Sequence, residues 1–167
     1  MTATAGESLL LIHDDDLHGD ARELPETGVR AVFAIRSVQG RSPQAVDPAV
    51  VAFTDTLARE ATSRIAMRTG ASDGGLIEAF DPAAVVAALI NAARTAGVTQ
   101  VIAARAPVGP NRDTLNEIRA NLVREDFGYA EITRRYDALA WPAATRGFSG
   151  LRARIPAIVR ELEIGAG

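Results

Sequence analysis

The 167 residues suit one domain with its own buried core, and 47% hydrophobic against 23% charged residues excludes collagen-like, disordered and membrane-embedded classes. All 18 basic residues are arginines, set against 21 acids for a net charge of −3, so direct DNA binding driven by bulk charge is not expected. Cysteine is absent, which removes disulfides, thiolate nucleophiles and thiolate-held metals.

Residues 1–8 lack the basic and apolar parts of a secretory leader. The longest strongly apolar stretch, Ala83 to Ile90, falls well short of the roughly 20 residues of a membrane-spanning helix. The expectation is a cytoplasmic protein with no membrane association. Ser8 to His13 is a continuous apolar run, as a parallel strand covered on both faces requires, and Val29 to Arg36 is a second, rich in β-branched residues. Asp47 and Pro48 form a cap and first turn for a helix reaching about Thr69, where Gly70 stops it. Val50, Val51, Phe53, Leu57, Ala61 and Ile65 are its expected buried stripe; the competing reading turns Ser63 to Thr69 into a strand. Gly70 to Gly75 reads as a flexible loop, and Leu76 to Phe80 as a short strand or an anchor.

Asp81 and Pro82 repeat the capping pattern before an alanine-rich helix that ends at Gly97. Val98 to Ala104 is the next strand, Asn111 to Phe127 the next helix, and Tyr129 to Tyr136 an alternating, edge-like strand. Trp141 and Pro142 fall in an expected loop, and Phe148 to Leu162 in a last helix interrupted or begun at Pro156. Strands separated by helix-length connections predict a three-layer α/β/α sandwich on a mainly parallel, Rossmann-like sheet of about five strands. Residues 1–167 are read as a single domain with a basic C-terminal segment, 134–162.

Ligands of open parallel sheets bind beyond the carboxyl ends of the strands, which directs attention to three segments. His13, Asp14, Asp15, Asp16 and His18 follow the first strand; imidazole and carboxylate oxygen are competent metal ligands, but consecutive aspartates diverge, so no metal site is assigned. Ala106 to Arg112 joins a strand to a helix. Backbone N–H groups at the helix start near Asn111, with Gly109 permitting close approach and Arg112 nearby, suit a phosphate or other anion; the ordinary alternative is a rigid Pro-Gly-Pro turn with Asn111 as helix cap. Trp141, the one tryptophan, offers a stacking surface or plugs a small core. The candidate ligand-binding residues are thus His13, Asp14, Asp16, Ala106, Gly109, Asn111, Arg112 and Trp141. No nucleophile elbow, Walker loop or dinucleotide fingerprint is present, and no catalytic residue is assigned.

The element order and three local patterns resemble the N-terminal α/β domain of the cryptochrome/DNA photolyase family. Asp16 and Leu17 after the first strand, with Asp20 following, look like that family's Arg-Asp-Leu-Arg-x-x-Asp loop, although Asp15 and His18 replace its arginines. Ala106 to Arg112 is similar to the loop after the fourth strand, and Trp141 to Pro156 to the segment that leads into the family's linker. The resemblance implies a stand-alone photolyase-like domain without the helical FAD domain, and therefore without autonomous repair activity. It also implies an antenna chromophore, flavin or folate, as a possible cofactor.

Three functions follow as expectations. The first is a domain binding a nucleotide- or flavin-like ligand, or docking on a protein partner through its basic segment. The second is a small metal-dependent phosphatase or nucleotide hydrolase using Asp14 to Asp16 and Arg112. The third is a homodimer with no ligand.

Overall fold

A computed structural model describes residues 7–17, 28–78, 81–145 and 147–164. The chain divides into two compact units, Met1–Ile132 and Thr133–Gly167. His18 and Asp20 lie outside the described residues.

The first unit is built on five parallel strands: β1 (Ser8–His13), β2 (Val29–Ile35), β3 (Ser72–Ile77), β4 (Gln100–Ala104) and β5 (Gly128–Ile132), in the order β3-β2-β1-β4-β5. Three helices cover it: α1 (Pro48–Thr69), α2 (Pro82–Ala96) and α3 (Pro110–Arg124). β1 lies at the centre, and every one of its residues is buried. Its side chains alternate between two cores, as the period of a strand dictates. Leu9 and Leu11 pack with Val85 and Leu89 of α2 and with Leu115 and Ile118 of α3, whereas Leu10 and Ile12 pack with Ala58, Ala61 and Ile65 of α1. Each such leucine contributes about 1.5–3 kcal/mol by leaving water. The result is the three-layer α/β/α, Rossmann-like architecture that the alternation of elements predicts.

Three helix ends obey local chemistry. Asp47 caps α1 through the Ala49 N–H, and Asp81 caps α2 through Ala83 and Ala84, each just before a proline at the first helical position. Gly70 closes α1 at φ 68°, a left-handed value that costs glycine nothing.

Several local expectations are corrected. Val50, Phe53 and Leu57 are exposed at 47%, 65% and 38%, and α1 buries Ala58, Ala61, Thr62, Ile65 and Ala66 instead. Length explains the shift. The 22 residues of α1 extend about 33 Å at helical rise, while the seven residues of β2 beneath it extend only about 23 Å. The first turns therefore overhang the strands, and small residues hold the second half close to the sheet. The helix is continuous, so Ser63 to Thr69 is not a strand.

The expected loop at Gly70 to Gly75 is largely β3. Its glycines serve as contact surface: a Cβ on Gly74 would lie 2.3 Å from the Phe33 ring, so the ring of β2 rests on bare backbone. β5 stops at Ile132 rather than Tyr136, because β4 ends at Ala104 and the last pairing bond is from Arg105 N to Ile132 O at 2.9 Å. Without a neighbour strand, the following residues turn into a helix.

That helix, α4 (Arg135–Ala144), and α5 (Phe148–Glu161) form the second unit. Trp141 and Pro142 lie within α4, not in a loop, and Pro156 lies within α5 rather than starting it. Each proline removes one helical N–H donor. The α4–α5 pair buries Ala140 and Ile158, and Arg135 donates to the Glu161 carbonyl at 2.8 Å.

Candidate functional site

The strand order reverses its direction of growth between β1 and β4, and the crevice beyond the carboxyl ends of such a pair is where open α/β sheets place ligands. β1 delivers His13 and, through a tight turn closed by Asp16 N to His13 O at 2.8 Å, Asp14 and Asp15. β2 delivers Ser37 and, past the 3₁₀ turn Val38–Gly40, Arg41. β4 leads through its loop to Asn111 in the first turn of α3.

These residues form one polar network. The Asp14 side chain is 3% exposed, and its Oδ1 accepts from Arg41 Nη2 at 2.6 Å and Asn111 Nδ2 at 3.2 Å as well as from Ser37 Oγ. Arg41 also reaches Asp15 Oδ1 at 2.8 Å, and Asn111 reaches Asp15 Oδ2 at 2.5 Å. One guanidinium thus faces two carboxylates, leaving the cluster one negative charge. Removing such charges from water is costly unless each finds donors, and Ser37, Arg41 and Asn111 provide them.

His13 is completely buried, and its Nε2 donates to the Ala104 carbonyl at 3.2 Å. A carbonyl only accepts, so Nε2 carries the proton and Nδ1 keeps a lone pair. Burial lowers the His13 pKa from its ordinary value, opposed by the Ala104 carbonyl and by Asp15 and Asp14. Three atoms of the network remain buried without a hydrogen-bond partner: His13 Nδ1, Asp14 Oδ2 and Asn111 Oδ1.

The other expected residues have different surroundings. Asp16 is half-buried beside this turn, its backbone bridged to His13. Ala106 is 2% exposed and belongs to the core shared by α2 and α3. Gly109, not Asn111, is the cap residue of α3, at φ 140°, which a side chain rarely adopts; Asn111 lies inside the first turn and its amide goes to Asp14 and Asp15 instead of to the helix end. Arg112 turns towards β5, where its Nη1 lies 2.8 Å from both carboxylate oxygens of Glu131. Its charge is spent there, so an anion at the start of α3 would find Asp113 in the first helical turn and Asp14 nearby. Trp141 is half-buried in the second unit. Ser37 and Arg41 are the members that reading the sequence missed. The signal was available: both follow the carboxyl end of β2, next to the reversal point.

Among the described residues no three His, Asp or Glu side chains converge as a metal site, and no helix is long and apolar enough to cross a membrane. A groove lies between α2 and α3, lined by Val86, Ile90, Arg94 and Arg124. Comparison with models of protein families, with curated proteins and with solved structures gave no match. Fold and cluster together define a doubly wound parallel α/β protein with a buried polar network at its strand ends.

Proposed function

We propose that the first unit is a photolyase-like ligand-binding domain that takes a nucleotide- or flavin-like molecule over the carboxyl ends of β1 and β4, without autonomous repair activity. One observation carries the reading: three buried atoms with unused hydrogen-bonding capacity sit in side chains at the strand-order reversal. The Asp16–Leu17 loop and the segment Ala106 to Arg112, on which the resemblance to photolyases rests, border the same strand ends. Metal-dependent phosphatase or nucleotide hydrolase chemistry is the weaker reading. Arg41 already holds both Asp14 and Asp15, so a divalent cation would have to displace a guanidinium at 2.6–2.8 Å. Docking on a partner through the basic segment draws support from Arg152, Arg154 and Arg160, all exposed on α5.

The experiment is a thermal-shift and absorbance survey of the purified chain with flavin, folate and nucleotide ligands. A saturable shift that disappears in Asp14→Ala supports the proposal. No shift with any member of the panel rejects it, and activity that requires added metal would restore the hydrolase reading.

A further inference from the structure

Arg30, Arg36, Arg41, Arg59, Arg64 and Arg112 each hold a carboxylate. Arg94 of α2 and Arg124 of α3 hold none among the described residues, and both line the groove between those helices. Each stands in the last turn of its helix, where a cation can serve the terminal carbonyls. Those carbonyls are already bonded: the Gly97 N–H takes Ala93 O and Arg94 O, and the Glu125 N–H takes Asn121 O, Leu122 O and Val123 O. Arg124 Nη1 donates instead to the neutral Asn121 Oδ1 at 2.8 Å, which steadies the guanidinium without cancelling its charge.

Val86 and Ile90, 6% and 8% exposed, form an apolar floor to the groove, and the methyl groups of Ala83 and Ala87 stand exposed beside them. Asn91 and Asn121 add neutral amides. Glu125 is the acid of the described lining and pairs with neither arginine, so two guanidiniums face one carboxylate and the groove keeps a net positive charge. Its volume of about 440 Å³ falls within the roughly 300–1,000 Å³ of small-molecule sites.

The chemistry that fits is a compact apolar body carrying one planar anion. A carboxylate accepts two parallel N–H bonds from a guanidinium, and a hydrocarbon body covers the floor that Val86 and Ile90 provide. Inorganic phosphate meets only the first requirement and a neutral hydrocarbon only the second, while a second negative charge would meet Glu125. We infer that the α2–α3 groove binds a small apolar monocarboxylate, with Arg94 and Arg124 as donors to the anion and Ala83, Val86, Ala87 and Ile90 against the body. The last turns of α2 and α3 lead into β4 and β5 and so lie towards the amino ends of the strands, away from the strand-end network. The inference is therefore independent of the nucleotide- or flavin-like ligand proposed there.

Calorimetry on the full chain with 3-phenylpropionate, hexanoate and indole-3-acetate tests it. At least one of these acids should bind saturably. The primary amide of that acid keeps the body and loses the charge, whereas acetate keeps the charge and loses the body; each should bind about tenfold more weakly. Arg94→Gln and Arg124→Gln should each weaken binding about tenfold, and Ala87→Trp should abolish it by filling the groove. All three positions are exposed, so the fold should be retained, which circular dichroism checks. The comparison of ligands stands on the unaltered protein even if a variant does not fold. Loss in only one arginine variant would support the site and assign the anion to that residue. No binding by any of the acids overturns the inference. Equal affinity for acid and amide, tighter binding of acetate or phosphate, or unchanged affinity in both arginine variants also overturns it.

Discussion

Asn111 and Asp14 stand 97 positions apart in the chain and meet at 3.2 Å, the amide of α3 donating to the carboxylate that ends the central strand. The same amide reaches Asp15, so one neutral side chain serves two charges that share a single guanidinium. Asn111→Leu keeps the approximate size of the side chain and withdraws both bonds. It should destabilise the protein by about 1–3 kcal/mol, the cost of leaving buried acceptors short of donors. Urea denaturation measures it; a loss under about 0.5 kcal/mol would show that Asn111 is dispensable to the network.

His13 predicts a pH dependence. Its folded-state pKa lies below the unfolded value of 6.5, so below that pH the unfolded chain takes up a proton that the native site resists. The contribution is therefore complete above the unfolded pKa and is lost as pH falls from there towards the depressed native pKa. The urea midpoint should rise with pH through this window, and His13→Gln should flatten that part of the profile. An unchanged slope in the variant would assign the effect to other groups.

Gly74 and Phe33 form a coupled pair. Gly74→Ala would drive a Cβ to 2.3 Å from the aromatic ring, and the forced repositioning should cost about 1–3 kcal/mol. Phe33→Leu frees the space, so the double variant should be less destabilised than the sum of the single changes. Strict additivity in a thermal-unfolding cycle would mean that the ring relaxes without resistance.

The two halves of α1 should respond unequally. Ile65→Ala removes a side chain that is 1% exposed and should cost about 2–5 kcal/mol. Phe53→Ala, at a position 65% exposed, should change stability by no more than about 0.5 kcal/mol. The Asp47→Ala cap variant should fall between them, at about 1 kcal/mol. Equal losses for Phe53 and Ile65 in denaturant titrations would show that the overhanging turns are covered in solution.

Wherever the signal was local, the sequence was sufficient to determine the structure. The bounds of β1, the Asp-Pro openings of α1 and α2, and their glycine stops follow from capping chemistry and strand periodicity among residues a few positions apart. The alternation of elements likewise determines the layered α/β class. The misreadings arose where a distant partner decides. Gly74 becomes strand because Phe33 lies across it, Tyr136 becomes helix because β4 has already ended, and Phe53 is exposed because its helix outruns the sheet. The candidate site divides in the same way. His13, Asp14 and Asn111 could be picked out as polar residues following buried strands, but their acceptor character could not. That property depends on the Ala104 carbonyl and the neighbouring carboxylates accepting the His13 and Asn111 protons and on Ser37 and Arg41 donating to Asp14, and only the tertiary structure brings those groups within hydrogen-bonding distance.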